Sequence, residues 1–195
     1  MQQQQWPLNE IDDFVVDDDW QRAMRDAFLV PHLYEHRYKG HYELFDHDLE
    51  MQSRGIDTRC ITGMGDHFTI DEKIVRFRRD GQPYTAFCVE THSCTREHHR
   101  SMGWLFYSEA DFLLYCRMDA AEREMRIHMM HLSSLRRWFS ERFEQFATFG
   151  PLPTKNATFG RVVPFARLDA SLYWPMTIYR DGRVIGRGFP GGARM

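Results

Sequence analysis

The residues best suited to chemistry are two aspartates and a lysine: Asp57, at the end of Gly55-Ile56-Asp57, and Asp71 and Lys73 within Asp71-Glu72-Lys73. The stretch 67–78 alternates as a strand does. Phe68, Ile70, Glu72 and Ile74 fall on one face, and Thr69, Asp71, Lys73 and Val75 on the other. A tight turn at Gly63-Met64-Gly65-Asp66 joins this strand to a short one at Ile56–Ile61, so Asp57 and Asp71 can lie side by side. Two adjacent carboxylates repel each other unless a cation binds between them, and a hard ion such as Mg²⁺ suits oxygen ligands. An ammonium two residues on can hold or polarise a water. These are the parts for hydrolysing a phosphodiester. The competing reading is an exposed Asp–Lys ladder on an ordinary hairpin, worth little energetically.

Other groups could extend such a site. Glu90 and His92 share a face of a third apolar stretch, Tyr84–His92. Glu90, flanked by Phe87, Cys88 and Val89, is either a further metal ligand or the partner of Lys73 or an arginine. Gln52 is a candidate substrate contact or a plain surface residue. The run His92-x-Cys94-x-x-x-His98-His99 could hold zinc only if His128 and His131 complete it through the fold, and a polar loop is the simpler reading.

The elements that position these residues follow from pattern. Asp17, Asp18 and Asp19 start a helix that carries Trp20, Met24, Ala27 and Phe28 and stops near Pro31. Three strands at 56–61, 67–78 and 84–92, with a turn at Asp80-Gly81, form a β-meander. Further strands are expected at Gly103–Phe106 and Asp111–Met118, and an apolar run at Ile127–Leu132. Leu135, Trp138, Phe139, Phe143 and Phe146 describe an amphipathic helix lying on the sheet. Residues 150–156 read as a connector, and Tyr179–Val184 as a hairpin.

An Asp on one strand of a hairpin followed by (Asp/Glu)-x-Lys on the next resembles the PD-(D/E)XK nucleases, the restriction-endonuclease-like superfamily. The likeness covers residues 17–93. It implies an α/β fold with a mixed central sheet and flanking helices. It also implies that Asp57 and Asp71 bind Mg²⁺ or Mn²⁺ with the backbone carbonyl of Glu72, while Lys73 serves the nucleophilic water. Asp57, Asp71, Lys73 and Glu90 form the expected catalytic set, and nucleic acid, DNA in preference to RNA, is the expected partner. The sequence departs from the pattern in two ways. Ile56 stands where the motif has Pro, and no clean helix follows the third strand, so 94–132 reads as an insertion or rearrangement. The alternative is a catalytically inert nucleic-acid- or protein-binding protein on the same scaffold, and a third option is a zinc-bound interaction module.

Composition frames these expectations. With 43% hydrophobic residues, 15 Phe, 8 Tyr and 5 Trp, the chain can bury a core. It is read as a loose lead-in (1–16), a core (17–150) and a basic extension (151–195) packing on or continuing that core. Residues 1–50 carry 12 acids and 4 bases, 51–150 carry 14 of each, and 151–195 carry 2 acids and 7 bases. Arg180, Arg183 and Arg187 in that last stretch are the candidate phosphate contacts. Only Lys39, Lys73 and Lys155 among 25 basic residues are lysine, which singles out Lys73. Cys60, Cys88 and Cys116 sit in apolar runs as reduced thiols. The absence of a leader or a long apolar span predicts a cytoplasmic protein with no membrane partner.

Overall fold

A computed structural model describes residues 18–36, 41–62, 65–77, 84–94, 100–152 and 157–186. Three layers stack on one another. In the first, helix α1 (Asp18–Met24) continues directly into α2 (Arg25–Glu35), wound with the wider π spacing. The helix does not stop at Pro31 as the sequence suggested. Pro31 has no N–H to donate, and the wider winding carries the chain past its ring, so that Leu33 and Tyr34 are also buried.

The middle layer is a mixed, seven-stranded sheet in the order β1 (Tyr42–Leu44), β2 (Thr58–Ile61), β3 (His67–Val75), β6 (Phe112–Met118), β7 (Glu124–His131), β10 (Tyr173–Tyr179) and β11 (Val184–Gly186). Neighbours run antiparallel except β3 and β6, which pair in parallel. Parallel neighbours need a long crossover, and here it contains β4 (Ala86–Cys94), β5 (Arg100–Met102) and the short helix α4 (Trp104–Tyr107). The third layer is a four-stranded sheet, β5-β4-β9-β8, with β8 at Ala147–Leu152 and β9 at Ala157–Pro164, together with α5 (Leu132–Arg142). A further short helix, α3 (Leu49–Ser53), links β1 to β2 and is capped by the Asp48 carboxylate on Met51 N–H.

Several sequence expectations are corrected. The stretch 84–92 does not join a meander with β3. It forms β4 of the second sheet, and the meander consists of β1, β2 and β3. β4 is apolar on both sides because one side enters the core and the other packs against neighbours within its own sheet. Phe87 and Val89 enter the core shared with α5 and the large sheet, while Ala86 and Cys88 meet Phe149 and Val162. Gly103–Phe106 is not a strand. A helical turn lets the consecutive Trp104 and Leu105 both enter the core, which strand alternation forbids. The connector expected from residue 150 begins later, because β8 runs to Leu152. The turn at Asp80-Gly81 lies outside the described residues.

Two apolar cores flank the large sheet. One joins it to α1 and α2 through Phe28, Leu29, Leu33, Ile70 and Ile74. The other joins it to the second sheet and α5 through Phe87, Leu113, Tyr115, Leu135, Trp138 and Phe139. The amphipathic stripe read from the sequence thus lies on the sheet, although Phe143 and Phe146 fall just beyond α5. Strands from residues 157–186 belong to both sheets. Cys60, Cys88 and Cys116 are free thiols. No described helix is long and apolar enough to cross a membrane.

Candidate active site

The site forms where β2 parts from β3. Ladder pairing between them ends with Thr58 opposite Ile70, and Asp57 N–H still donates to the Ile70 carbonyl at 2.9 Å. One step further the Asp57 carboxylate, not a backbone carbonyl, accepts the Glu72 N–H at 2.7 Å. A residue's N–H and C=O point to the same side of a strand, so the Glu72 carbonyl also faces this opening. Gly55 allows the approach to it. Its φ of +67° suits glycine, and an added Cβ would lie 2.8 Å from the Cβ of Ser108.

On the inter-sheet face, Asp71 is fully buried and its Oδ1 pairs with the Lys73 ammonium. Its Oδ2 is buried with no hydrogen bond of ordinary geometry, although the Ser108 hydroxyl, which donates to Gly55, lies near enough to pull against the rise that burial gives the carboxyl. Burial pushes the Asp71 carboxyl up to about 6; Lys73 pulls against the shift and Asp57 adds to it. Burial alone would lower the Lys73 ammonium, but the Asp71 and Asp57 carboxylates outweigh it and hold the group above its ordinary range. The Trp104 ring lies 5.9 Å from Lys73 Nζ, and burial raises the phenol of the neighbouring Tyr107.

Helix α4 is fastened over this pair from several directions. Gly103 N–H donates to the Thr91 carbonyl at 2.9 Å, and any side chain at Gly103 would strike the Glu90 carbonyl. Ser108 Oγ donates to the Gly55 carbonyl at 2.9 Å. Arg136 donates to the carbonyls of Leu105 and Ser108, and Arg54 pairs with Glu109 at 2.8 Å.

Glu72 projects to the other face, as the alternation predicted. Tyr34 and Thr58 each donate to its Oε1 at 2.5 Å. Burial, then the Asp57 charge, raises its carboxyl to about 7, against the pull of those two donors. A cleft of about 310 Å³ opens beside it, bordered by Arg22, Arg25, Asp46, Gln52, Asp57 and Glu72. Arg25, 5% exposed, grips Asp46 with two 2.6 Å bonds. Gln52 donates to the carbonyls of Phe45 and Asp46 at 3.0 and 2.6 Å, which shapes the cleft wall.

The structure therefore brings Asp57, Asp71, Lys73 and the Glu72 backbone together, with Gln52 close by. Glu90 lies across in β4, opposite Gly160, where it acts electrostatically on Tyr107. A bulge separates Glu90 from His92, whose ring stacks on Phe159 at 4.8 Å. Arg180 and Arg183 are remote. The row through Asp71 crosses β6 and β7 to Tyr173. The hairpin lies about 20 Å further along β10 and three strands across at ~4.8 Å each. There Arg183 pairs with Asp181 at 2.9 Å. Arg187, His98 and His99 lie outside the described residues, as does the Cys94 side chain. His128 packs on Phe165, whereas His131 bonds Ser133 and meets Phe112. The two lie three positions apart in β7 and so on opposite faces of it.

Sequence reasoning missed Tyr34, Thr58, Trp104, Tyr107 and Ser108. Only Thr58, one residue after Asp57, had a local signal. Among the described residues no three His, Cys, Asp or Glu side chains group closely enough to hold a metal ion. Mg²⁺ needs less, since one or two carboxylates suffice when waters and substrate phosphate complete the shell. The buried Asp71 Oδ2, the Asp57 carboxylate and the Glu72 carbonyl are hard oxygen donors of that kind, so the residues present fit such an ion. Comparisons with family models, characterised proteins and solved structures found no match to this chain.

Proposed function

We propose that this protein is a metal-dependent phosphodiesterase that cleaves nucleic acid, DNA in preference to RNA, with Asp57, Asp71 and Lys73 at its centre and a core akin to the PD-(D/E)XK nucleases. The observation that carries the reading is the buried Asp71 carboxylate, with one oxygen lacking an ordinary hydrogen bond and the other on the Lys73 ammonium, beside the place where Asp57 parts the strands. A buried carboxylate oxygen is ordinarily satisfied within the fold, and a bound cation would satisfy this one. Asp57, Asp71 and the Glu72 carbonyl would hold Mg²⁺ or Mn²⁺, which would supply a Lewis acid for the phosphate.

The remaining chemistry belongs to the chain. Lys73 is held charged and in place by Asp71 and Trp104, where it can orient a water and stabilise negative charge on the attacked phosphate. The water gives up a proton to solvent as its oxygen bonds to phosphorus, the P–O bond to the sugar breaks, and the departing oxygen takes a proton from solvent. Helix α4 and the second sheet limit water around Asp71, which strengthens each of these electrostatic contacts.

The test is incubation of single- and double-stranded DNA and RNA with Mg²⁺ or Mn²⁺, comparing wild type with Lys73→Ala and Asp71→Asn. Metal-dependent cleavage lost in both variants supports the reading. Wild-type inactivity on every substrate would shift it to the inert nucleic-acid-binding scaffold.

A further inference from the structure

A second set of unsatisfied groups lies on the same sheet face, away from the carboxylates. In the β6–β7 ladder Tyr115 stands opposite His128, and Arg117 opposite Arg126. Phe165, from the 3-10 turn Phe165–Arg167, gathers the first three. Its ring lies 4.1 Å from the Arg117 guanidinium carbon, 4.2 Å from the His128 ring and 5.9 Å from the Tyr115 ring. Like charges placed directly opposite on paired strands repel. Arg126 is relieved by Glu124 at 2.6 Å. Arg117 has no carboxylate partner among the described residues. It donates to the Tyr84 carbonyl, and its Nε is buried without an acceptor.

The Tyr115 hydroxyl and His128 Nδ1 are likewise buried with no hydrogen bond of ordinary geometry, although the Cys88 backbone N–H lies near enough to the Tyr115 oxygen to pull against the rise that burial gives its phenol. A fold normally satisfies such groups itself. Here Arg117 Nε, the Tyr115 hydroxyl and, in its Nδ1-protonated tautomer, His128 can each donate beside one aromatic ring, and none of them has an acceptor. Burial, then the nearby Arg126, draws Arg117 down to about 10, and burial, then Arg117, draws His128 down to about 3. Positive charge is poorly compensated at this place.

We propose that Tyr115, Arg117 and His128, beside the half-exposed Arg126, form a binding site for a phosphate-type oxyanion. An oxyanion offers several acceptor oxygens to donors arriving from different directions, and the guanidinium fork can engage two of them. The uncompensated Arg117 charge disfavours a metal cation at the same place. The site stands whether or not Asp57 and Asp71 support cleavage. Lys73 is the parallel-strand neighbour of Tyr115, so the bound group is either a free phosphate compound or a backbone phosphate of nucleic acid.

Thermal unfolding of the full chain in inorganic phosphate, against sodium chloride at equal ionic strength, tests this. Wild type should gain about 4 °C or more at ~30 times Kd, with saturation. Arg117→Met should melt higher than wild type in phosphate-free buffer and show no phosphate-specific gain. Arg126→Gln, at an exposed position, should weaken phosphate about tenfold. An oligodeoxynucleotide that competes with phosphate in the presence of chelator identifies the backbone as the occupant, and no competition identifies a small phosphate compound. Equal shifts in phosphate and chloride for wild type would overturn the site, as would a full shift in Arg117→Met. If Arg117→Met does not fold, unchanged phosphate affinity in Arg126→Gln would do the same.

Discussion

The Asp57 carboxylate accepts the Glu72 backbone N–H at 2.7 Å, so a side chain takes the place of a ladder partner where β2 leaves β3. This bond fixes Asp57 beside Asp71 without using the Asp71 side chain. Asp57→Ala should therefore both weaken metal binding and loosen the start of β2, with a stability loss of about 1–3 kcal/mol for the unsatisfied N–H. Chemical denaturation and Mn²⁺ titration check the two effects separately. Asp57→Asn, which still offers an oxygen, should recover most of the stability and little of the metal affinity.

Lys73 separates chemistry from structure. Lys73→Arg keeps the positive charge but replaces a compact ammonium, seated between Asp71 and Trp104, with a wider planar group. Cleavage should fall about a hundredfold or more, with the thermal midpoint within a few degrees of wild type. Full activity in Lys73→Arg would remove the ammonium from the reaction.

The buried acids set a pH dependence. Burial raises the Asp71 carboxyl from 3.8 to about 6 and the Glu72 carboxyl from 4.5 to about 7. For an acid with a raised folded-state pKa, the stabilising contribution is complete below the unfolded value and is lost as pH climbs through the folded one. Metal-free protein should thus lose stability between about pH 4 and pH 7.5, by several kcal/mol as the two carboxyls ionise. Asp71→Asn should flatten part of this slope and match or exceed wild-type stability at neutral pH, while abolishing cleavage. Melting curves across pH, with and without Mg²⁺, measure it. A wild-type midpoint that rises through the same interval contradicts the assignment.

Gly103 is the hinge pin of the α4 wall, since a Cβ there would come within 2.0 Å of the Glu90 carbonyl. Gly103→Ala should cost about 2–3 kcal/mol and reduce cleavage by detaching Trp104 from Lys73. Trp104 fluorescence during unfolding reports the detachment.

The β10–β11 hairpin bears on binding alone. Arg180 and Arg183 lie about 20 Å along the sheet from the Asp71 row, too far to touch the bond being cut. Neutralising both should lower the slope of log affinity against log salt by about two, with the rate at saturating substrate unchanged. An unaltered slope would take the hairpin out of the interface.

The alternation of Asp71, Glu72 and Lys73 was legible because a strand's period of two is a local property, and α5 was legible because Leu135, Trp138 and Phe139 repeat at helical spacing. The partner of β4 was not legible. Its apolar residues fit the middle of any sheet, and β9, which pairs with it, lies about 70 residues on. Helix α4 was hidden for another reason: four residues are too few to show a period. The Tyr34 donor on Glu72 lay beyond local pattern too, since it stands 38 residues earlier.

The long crossover between β3 and β6 ties the site to the order in which the molecule closes. α4 rests on β4, and β4 is held mainly by β9, as in the pairing of Val89 with Arg161. Contacts this distant in sequence form late, because the intervening chain must first surrender its freedom. The strand pair that carries Asp57 and Asp71 is separated by a short turn and can form early. A sub-global opening that parts β4 from β9 would therefore leave the carboxylates aligned and flood Asp71 with water. Amide exchange in β4 and α4 should then be faster than in β3, and the protein would possess a wetted, catalytically idle state that is still largely folded.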